Sequence, residues 1–441
     1  MRLGFFPCLR GEGGGVYQYS LSMLRAMREL KEGGRLAEEV VVIAEDVSSP
    51  ILETVGDWPV RRFAPLEPMH RRWLSGLHAL LGNRRYNALQ KLFPGSHGAA
   101  EPAPADEPVA SGKADLDAKG SDPALARWFS KCGADLVLFP FPTAISFESG
   151  LPYVMAIHEL LHRLHPEFPE VSEGGEWESR EYIFRNGARK ATLLLADSEA
   201  GKEDILNFYG PYGVAPDRVK VLPFLPASYL AVRVEEEELR RVREAHRLPV
   251  RFLFYPAQFW AHKNHELIVE ALGLLAKRDG LEIPIVFCGS HSGALREKVL
   301  RAVQECARRL GVEGRVLSLG YVPDGDMSAL YAGAVALIMP TFFGPTNIPI
   351  LEAWSLGCPV LTSDIRGVRE QAGDAAVLAD PRSIESIANG IRRLWTDEGL
   401  RATLTKRGRE RLQTYTPEDF RARLADILDE AKARVGSEKR R

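Results

Sequence analysis

Residues 334–364, AVALIMPTFFGPTNIPILEAWSLGCPVLTSD, contain in direct succession the signals of a strand, a loop, a helix and a second strand. The apolar runs at 334–341 and 358–364 do not alternate with polar residues, which is typical of strands covered by helices on both faces of a parallel sheet. Gly, Pro, Thr and Asn form the loop between them, and Pro349 suits the first turn of a helix. The stretch therefore predicts a βαβ unit of an α/β domain.

The same pattern extends in both directions along the chain. Apolar runs that predict further strands begin at residues 2, 40, 134, 153, 191 and 219 in the first half and at 251, 283, 315 and 375 in the second. Amphipathic helical segments lie between them, and 441 residues are too many for one core. The sequence thus predicts two doubly wound, Rossmann-like domains that face each other across a cleft.

We place the first domain at 1–230 and the second at 231–415, and we expect a helix at about 416–435 to pack back on the first domain. A segment at about 95–123 is rich in Gly, Ala, Pro, Ser and Asp and has almost no large apolar side chains, which predicts a flexible surface insert. Ligands of doubly wound domains bind beyond the carboxyl ends of the strands. The cleft is therefore the expected site.

Composition excludes several classes of function. The net charge of −2 gives no sign of a nucleic-acid partner. No apolar run reaches the roughly 20 residues that cross a bilayer, and the N-terminal segment lacks the long apolar region of a signal peptide. The five cysteines are scattered without a C-x-x-C pair, which argues against zinc and disulfides. These features predict a cytoplasmic protein.

A glycine-rich loop, Gly11-Glu12-Gly13-Gly14-Gly15, separates the first strand from a helix that we expect to begin near Val16. Glycines let the backbone approach a ligand, and the helix N-terminus attracts an anion. The dinucleotide fingerprint is incomplete, however, and the lysine of a Walker A loop is missing. A phosphate-facing loop and a simple tight turn remain equally open.

Two charged residues of the second half follow predicted strands. Lys263 lies in a short loop after the strand that begins at 251, where it could neutralise a phosphate. Glu352 lies in the first turns of the helix that begins near Ile348, and a carboxylate there suits ribose hydroxyls. The alternatives are a solvated surface lysine and a glutamate that only complements the helix dipole.

Several motifs of the chain, taken together, resemble those of family 4 glycosyltransferases. The matching stretches are GGGVYQYSLSML (13–24), YVMAIHELLH (153–162), LADSEAGKEDIL (195–206), QFWAHKN (258–264), PTFFGPTNIPILEAWSLGCPVL (340–361) and IRGVREQAGDAAVLADP (365–381). They occur in the family's order and span nearly the whole chain except the insert. The resemblance implies the GT-B fold and a retaining glycosyltransferase.

The resemblance also implies roles for the matching positions. Lys263 would bind the donor phosphates, together with the backbone amides of Asn347 and Ile348. Glu352 would hold the ribose, and His158 would lie near the sugar at the reaction centre. By the same resemblance, the further donor-binding positions are Gly14 and Gly15 beside the phosphates and sugar, and Val322 against the base.

Two positions depart from the family's pattern. The first of its two glutamates, eight residues before Glu352, is Gly344 here, and its arginine five residues before Lys263 is Gln258. We expect Thr346 or Asn347 to replace the lost sugar contact. The positive charge lost at Gln258 would come in part from His262.

Metal binding is the main competing interpretation of several residues. His158, His162 and His165 are close in sequence, and HELLH (158–162) has the H-E-x-x-H spacing of a zinc peptidase, but it lies in a predicted loop rather than on a helix. Without the resemblance, a structural hydrogen bond is the simpler interpretation of His158. The Asp-x-Asp triplets at 115–117 and 324–326 resemble metal sites of other sugar transferases, yet Asp324 is well placed to cap a helix. We therefore predict no metal and no other cofactor.

Residues 69–93, MHRRWLSGLHALLGNRRYNALQKLF, contain several basic residues and no acid, and their large apolar residues can share one helical face. Such a helix can lie on an anionic membrane, or it can pack on its own domain. A peripheral contact with the cytoplasmic face of a membrane would suit a lipid-linked acceptor.

The predicted reaction is the transfer of a hexose from a UDP- or GDP-linked donor to a hydroxyl of a glycan or lipid-linked acceptor, in cell-surface polysaccharide or glycolipid synthesis. Two alternatives remain. One is a nucleotide-sugar epimerase of GT-B type, and the other is a protein that binds nucleotide sugars without turnover. The residues leave the choice of sugar and base open.

Overall fold

The computed structural model describes residues 1–9, 14–63, 120–230 and 233–438. The predicted basic helix at 69–93, the triplet at 115–117 and most of the predicted insert lie outside these ranges. The end of the insert was placed too far along the chain. Asp122 caps a helix that begins at Pro123, and its Oδ1 accepts hydrogen bonds from the Ala124 and Leu125 amides at 2.7 and 2.9 Å.

The N-terminal sheet has seven strands within the described residues, all parallel, in the order β3-β2-β1-β4-β5-β6-β7. The strands are Arg2–Phe5 (β1), Glu39–Ala44 (β2), Val60–Arg62 (β3), Leu136–Phe139 (β4), Tyr153–Ala156 (β5), Leu193–Ala196 (β6) and Val219–Val221 (β7). The strand order reverses between β1 and β4, which makes this point the switch point of a doubly wound sheet.

The C-terminal sheet has six parallel strands within the same ranges, in the order β10-β9-β8-β11-β12-β13. They are Leu253–Pro256 (β8), Ile285–Cys288 (β9), Val316–Ser318 (β10), Ala336–Met339 (β11), Val360–Ser363 (β12) and Val377–Ala379 (β13). Its order reverses between β8 and β11. The predicted pair of doubly wound domains is confirmed.

Helices cover both sheets. Those of the N-terminal part are Gly15–Glu32 (α1), Pro123–Cys132 (α2), Ala144–Glu148 (α3), Leu161–Leu164 (α4), Pro169–Ser172 (α5), Glu176–Lys190 (α6) and Glu199–Tyr209 (α7). Those of the C-terminal part are Glu236–Ala245 (α8), His265–Asp279 (α9), Ala294–Arg309 (α10), Asp324–Gly333 (α11), Ile348–Ser355 (α12), Val368–Ala372 (α13), Ile384–Thr396 (α14), Glu398–Leu412 (α15) and Pro417–Glu438 (α16). In the described part of the chain, no helix is long and apolar enough to cross a bilayer.

Most strands form where the sequence predicts them because their apolar runs are buried on both faces. Every residue of β4, β5 and β6 is buried, as is every residue of β9, β11 and β12. The pattern missed β3, whose sequence is Val-Arg-Arg and whose arginines are exposed. This strand lies at the edge of the sheet and needs little apolar surface.

The last helix returns to the first domain. Phe420 and Leu424 of α16 are buried in one cluster with Leu24 and Met27 of α1. The Lys432 ammonium of α16 also forms an ion pair with Glu38, at 2.8 Å. The chain therefore crosses from the first domain to the second and back again.

Gly408 of α15 provides a test of the second core. A Cβ at this position would lie 2.3 Å from Cδ1 of the buried Trp354 of α12. Glycine to alanine in a helix interior normally gains about 0.5–1 kcal/mol, whereas overpacking costs about 1–3 kcal/mol. We expect Gly408→Ala to lower the thermal midpoint by several degrees. Gly399→Ala in the same helix meets only an ordinary contact at 3.4 Å and should leave the midpoint unchanged or raise it. Equal midpoints for the two variants would contradict this packing.

Candidate functional site

The predicted site residues come from loops at the carboxyl ends of both sheets, and these loops meet. Gly14 precedes α1 with φ 54°, a conformation that favours glycine. A Cβ on the next residue, Gly15, would lie 3.3 Å from Cδ1 of Ile348 at the start of α12. The structure therefore brings Gly15 of one domain close to the helix N-terminus of the other.

Three further contacts join the domains around this point. The Thr346 hydroxyl bonds to the Asp197 carboxyl, which follows β6. Glu170 of α5 accepts from the backbone amide of His262 at 3.0 Å and pairs with its Nδ1 at 2.6 Å. Arg366, after β12, pairs with Asp204 of α7 at 2.5 Å. The cleft is thus bordered by polar contacts between the domains.

Lys263 ends a turn of 3₁₀ helix, Ala261–Lys263, that follows β8. The His262 carbonyl in this turn accepts from the Phe342 amide at 2.8 Å and from the Thr341 hydroxyl at 3.0 Å. These bonds fix the turn against the loop that leads to α12. Lys263 and the start of α12 are therefore held on the same side of the cleft.

The Lys263 ammonium is only partly exposed. Burial lowers the pKa of Lys263 to about 8, while the carboxylates of Glu159 and Glu170 act in the opposite direction. Among the described residues, no carboxylate lies within the 4.0 Å of an ion pair with it. A cation in this state is still mostly protonated at pH 7 and is available to an anionic ligand.

Asn347 caps α12, and Ile348 is the first residue of that helix. The Asn347 amide, predicted to bind a diphosphate, donates to Oε1 of Gln371 at 2.9 Å, and Nε2 of Gln371 donates back to the Asn347 carbonyl at 2.9 Å. A ligand at this amide would replace the Gln371 side chain. The sequence contained Gln371 within a matching motif, but its spacing gave no sign of this contact.

Glu352 lies on the second turn of α12 and is buried. Its Oε1 accepts from the Tyr229 hydroxyl at 3.1 Å and its Oε2 from the Tyr331 hydroxyl at 2.5 Å. Burial raises the pKa of Glu352 to about 7, although both tyrosine hydroxyls lower it. A buried carboxylate that accepts two hydroxyls is suited to a ribose diol, which would take the place of a tyrosine.

Val322 follows β10 and is packed in the core of the second domain, with 5% of its surface exposed. Its side chain therefore offers little surface to a base. The preceding residue, Tyr321, is 61% exposed, so its aromatic ring is more accessible to a base than the Val322 side chain. Sequence reasoning missed Tyr321 because a single tyrosine in a loop carries no pattern.

His158 follows β5, and its Nε2 donates to the Pro140 carbonyl at 2.7 Å. The Tyr19 ring packs edge-on against it, with a centroid distance of 4.7 Å. Burial lowers the pKa of His158, and the bond to Pro140 only partly opposes this. The ring is therefore neutral at pH 7, with its lone pair on Nδ1, so a structural bond and an acceptor for a ligand coexist in one residue.

The expectation that His262 replaces the missing arginine charge is wrong. Burial and the neighbouring Lys263 lower the pKa of His262, although Glu170 acts in the opposite direction. A guanidinium reaches Gln258 instead, because Nη1 of Arg296 in α10 donates to its Oε1 at 3.0 Å. Arg296 also lies over the Trp260 ring, 4.9 Å from its centroid. Arg296 lies in the first turn of α10, 38 residues further along the chain, so local spacing could not reveal it.

Gly344 has φ 138°, and a Cβ there would lie 2.9 Å from Oδ1 of Asn347. The side-chain amide of Asn347 therefore occupies the space that a side chain at position 344 would need. The Thr346 hydroxyl, the other predicted replacement, is engaged with Asp197. Of the two, Asn347 fills the position beside Gly344.

In the described ranges, no three His, Cys, Asp or Glu side chains are grouped so that they could hold a metal ion. Asp324 is the first residue of α11, and Pro323 is the cap, so the predicted capping role of Asp324 is wrong. Asp326 pairs with His246 at 2.8 Å and with Arg241. Glu181 engages the buried His162 at 3.3 Å.

Comparison with known proteins identifies a family model, related sequences and similar structures. Residues 236–411 match the family model described as glycosyl transferases group 1. The O-antigen chain mannosyltransferase B of Escherichia coli is 28% identical over 229 residues, or 52% of this chain and 58% of that protein. The lipopolysaccharide glucosyltransferase WaaG of Escherichia coli K12 is 26% identical over 257 residues, or 56% of this chain and 63% of that protein. The matched part thus spans less than two thirds of each relative.

Among solved structures, HepE of Anabaena in complex with UDP and glucose superposes with a TM-score of 0.67. The sequences are 18% identical, and the match covers 97% of this chain and 99% of HepE. At this level of sequence identity, the similarity shows a shared fold and nothing more. The two parallel sheets therefore have the GT-B architecture, and residues 236–411 match the model of the group 1 glycosyltransferases.

Proposed function

We propose that this protein is a retaining glycosyltransferase that moves a hexose from a nucleoside-diphosphate sugar to a hydroxyl of a glycan or lipid-linked acceptor. The proposal rests mainly on the position of Lys263. This partly buried cation lies in the turn that contacts the loop before α12, and among the described residues no carboxylate lies in ion-pair distance of it. Such a cation and a helix N-terminus together suit a diphosphate.

The mechanism follows from charge. As the bond from the anomeric carbon to the diphosphate breaks, negative charge grows on the leaving oxygen. Lys263 and the first amides of α12 stabilise that charge. The acceptor hydroxyl attacks from the same face, and its proton passes to the leaving diphosphate. In this scheme Glu352 holds the ribose, and the neutral His158 offers Nδ1 to a sugar hydroxyl.

The names of the related proteins suggest a class of acceptor. The two Escherichia coli proteins are named for O-antigen chains and lipopolysaccharide, and HepE was crystallised with UDP and glucose. By analogy, we assign this protein to cell-surface polysaccharide or glycolipid synthesis in the cytoplasm, with a UDP- or GDP-linked donor and no metal. A contact of residues 69–93 with the membrane belongs to the same proposal.

A thermal-shift panel tests the donor site. Wild type is compared with Lys263→Ala in UDP-glucose, UDP-N-acetylglucosamine and GDP-mannose, with Lys277→Ala as the control, an exposed lysine in the last turn of α9. A ligand at 100 times its dissociation constant stabilises a fold by about 2.7 kcal/mol. We expect one nucleotide class to shift wild type and Lys277→Ala equally, and Lys263→Ala to lose the shift.

The outcomes separate the alternatives. No shift of wild type, or equal shifts of all three proteins, would contradict the proposed site. A shift without transfer or slow hydrolysis of the donor would indicate a binding protein. Conversion of the donor to its epimer without release of nucleoside diphosphate would indicate an epimerase.

The affinity for the nucleotide sugar should depend on pH in a bell-shaped manner. Glu352, with a pKa raised to about 7, loses its negative charge as the pH falls, and Lys263, with a pKa lowered to about 8, loses its positive charge as the pH rises. Each limb should fall by up to about tenfold per pH unit, because one proton is exchanged. Calorimetric titrations between pH 5.5 and 9.5 would measure this, because the donor's own phosphates do not titrate there.

Two variants test which residue causes each limb of the pH dependence. Glu352→Gln should bind more weakly than wild type and have a shallower acidic limb. Lys263→Arg should retain binding and lose the alkaline limb, since a guanidinium stays charged throughout. An unchanged acidic limb in Glu352→Gln would show that another group titrates.

A further inference from the structure

Asp197 lies where the first domain contacts the loop that leads to α12, and it has no role in the proposed reaction. It directly follows β6, next to β5 and His158, and only 2% of its surface is exposed. Its carboxyl reaches across to the Thr346 hydroxyl, two residues beyond Gly344. A buried acid from the first domain thus touches the loop of the second domain that contains no acid of its own.

The first domain is built to hold this carboxyl. The Ser198 hydroxyl donates to Oδ1 of Asp197 at 3.2 Å, and Ser198 also caps α7. The third residue of α7 is Gly201, where a Cβ would lie 2.7 Å from the same Oδ1. A glycine there leaves room for the carboxyl against the start of the helix. The position of the acid is therefore fixed by its own domain and does not depend on Thr346.

The partners of Asp197 are hydroxyls. Within the described ranges, no lysine or arginine lies in ion-pair distance of it, and Thr346 and Ser198 are the side chains bonded to it. Burial without a cation raises the pKa of Asp197 to about 7, so about half of it is ionised at neutral pH. An acid in such surroundings gains from each further hydroxyl that donates to it, because unpaired buried charge is costly.

We propose that Asp197 binds a hydroxyl of the transferred sugar, which replaces the Thr346 hydroxyl when the donor enters. This inference rests on the proposed function. The acid that positions the sugar then comes from the acceptor-side domain. It lies across from Gly344, where the Asn347 side chain leaves no room for a larger residue. Sugar recognition would thereby require both domains to be in contact.

The test compares Asp197→Asn with Asp204→Asn. Asp204 is also buried and also contacts the second domain, but through the Arg366 guanidinium. Whichever donor the thermal-shift panel identifies is titrated with each variant, together with its nucleoside diphosphate. We expect Asp197→Asn to weaken the donor by at least about tenfold, as for a lost hydrogen bond to a charged group, and the nucleoside diphosphate by less than about twofold. Asp204→Asn should affect both ligands equally.

Donor analogues with single deoxy positions on the sugar identify the hydroxyl. Wild type should discriminate against the analogue that lacks the bound hydroxyl, and Asp197→Asn should bind that analogue and the full donor equally. Equal weakening of donor and nucleoside diphosphate in Asp197→Asn, or unchanged discrimination, would overturn the inference and leave the proposed function standing. Failure of every nucleotide sugar to bind wild type would overturn both.

Discussion

The burial of both sheets on both faces is the constraint on which the rest of the structure depends. Strands such as β5, β6 and β11 have no exposed residue, so a charged side chain within them would lose its hydration without a partner. Polar groups therefore occur where the strands end. His158 follows β5, Asp197 follows β6, and Lys263 lies in the loop after β8. Because both sheets are parallel, the loops at their carboxyl ends collect these groups at one edge of each domain.

Charged groups of the two domains lie near Lys263. The first domain contributes the carboxyls of Glu159 and Glu170, whereas the second contributes the Lys263 ammonium itself. The carboxylates of Glu159 and Glu170 attract the Lys263 ammonium at longer range, and among the described residues no carboxylate lies in ion-pair distance of it. An anionic ligand bound at Lys263 would therefore gain a charge partner without breaking an existing ion pair.

Several polar groups of the site are satisfied within the protein. Tyr229 and Tyr331 donate to Glu352, and Gln371 bonds both backbone groups of Asn347. A buried polar group without a partner costs about 1–3 kcal/mol, so such internal partners stabilise the ligand-free cleft. A ligand that replaces them gains only the difference between two sets of hydrogen bonds. This exchange favours ligands whose hydroxyls match the geometry closely.

The sequence by itself determined the architecture. Unbroken apolar runs separated by amphipathic helices predicted two doubly wound sheets. The edge strand β3 was not predicted, because its exposed arginines form no apolar pattern. The motifs also identified the loops that form the cleft, since glycine, proline and cap residues act locally. Tertiary structure alone decided the partners of each side chain. Arg296 reaches Gln258 and Asp197 reaches Thr346 across 38 and 149 positions of the chain, respectively. Contacts of this kind depend on how strands and domains are arranged in space, which local spacing does not encode.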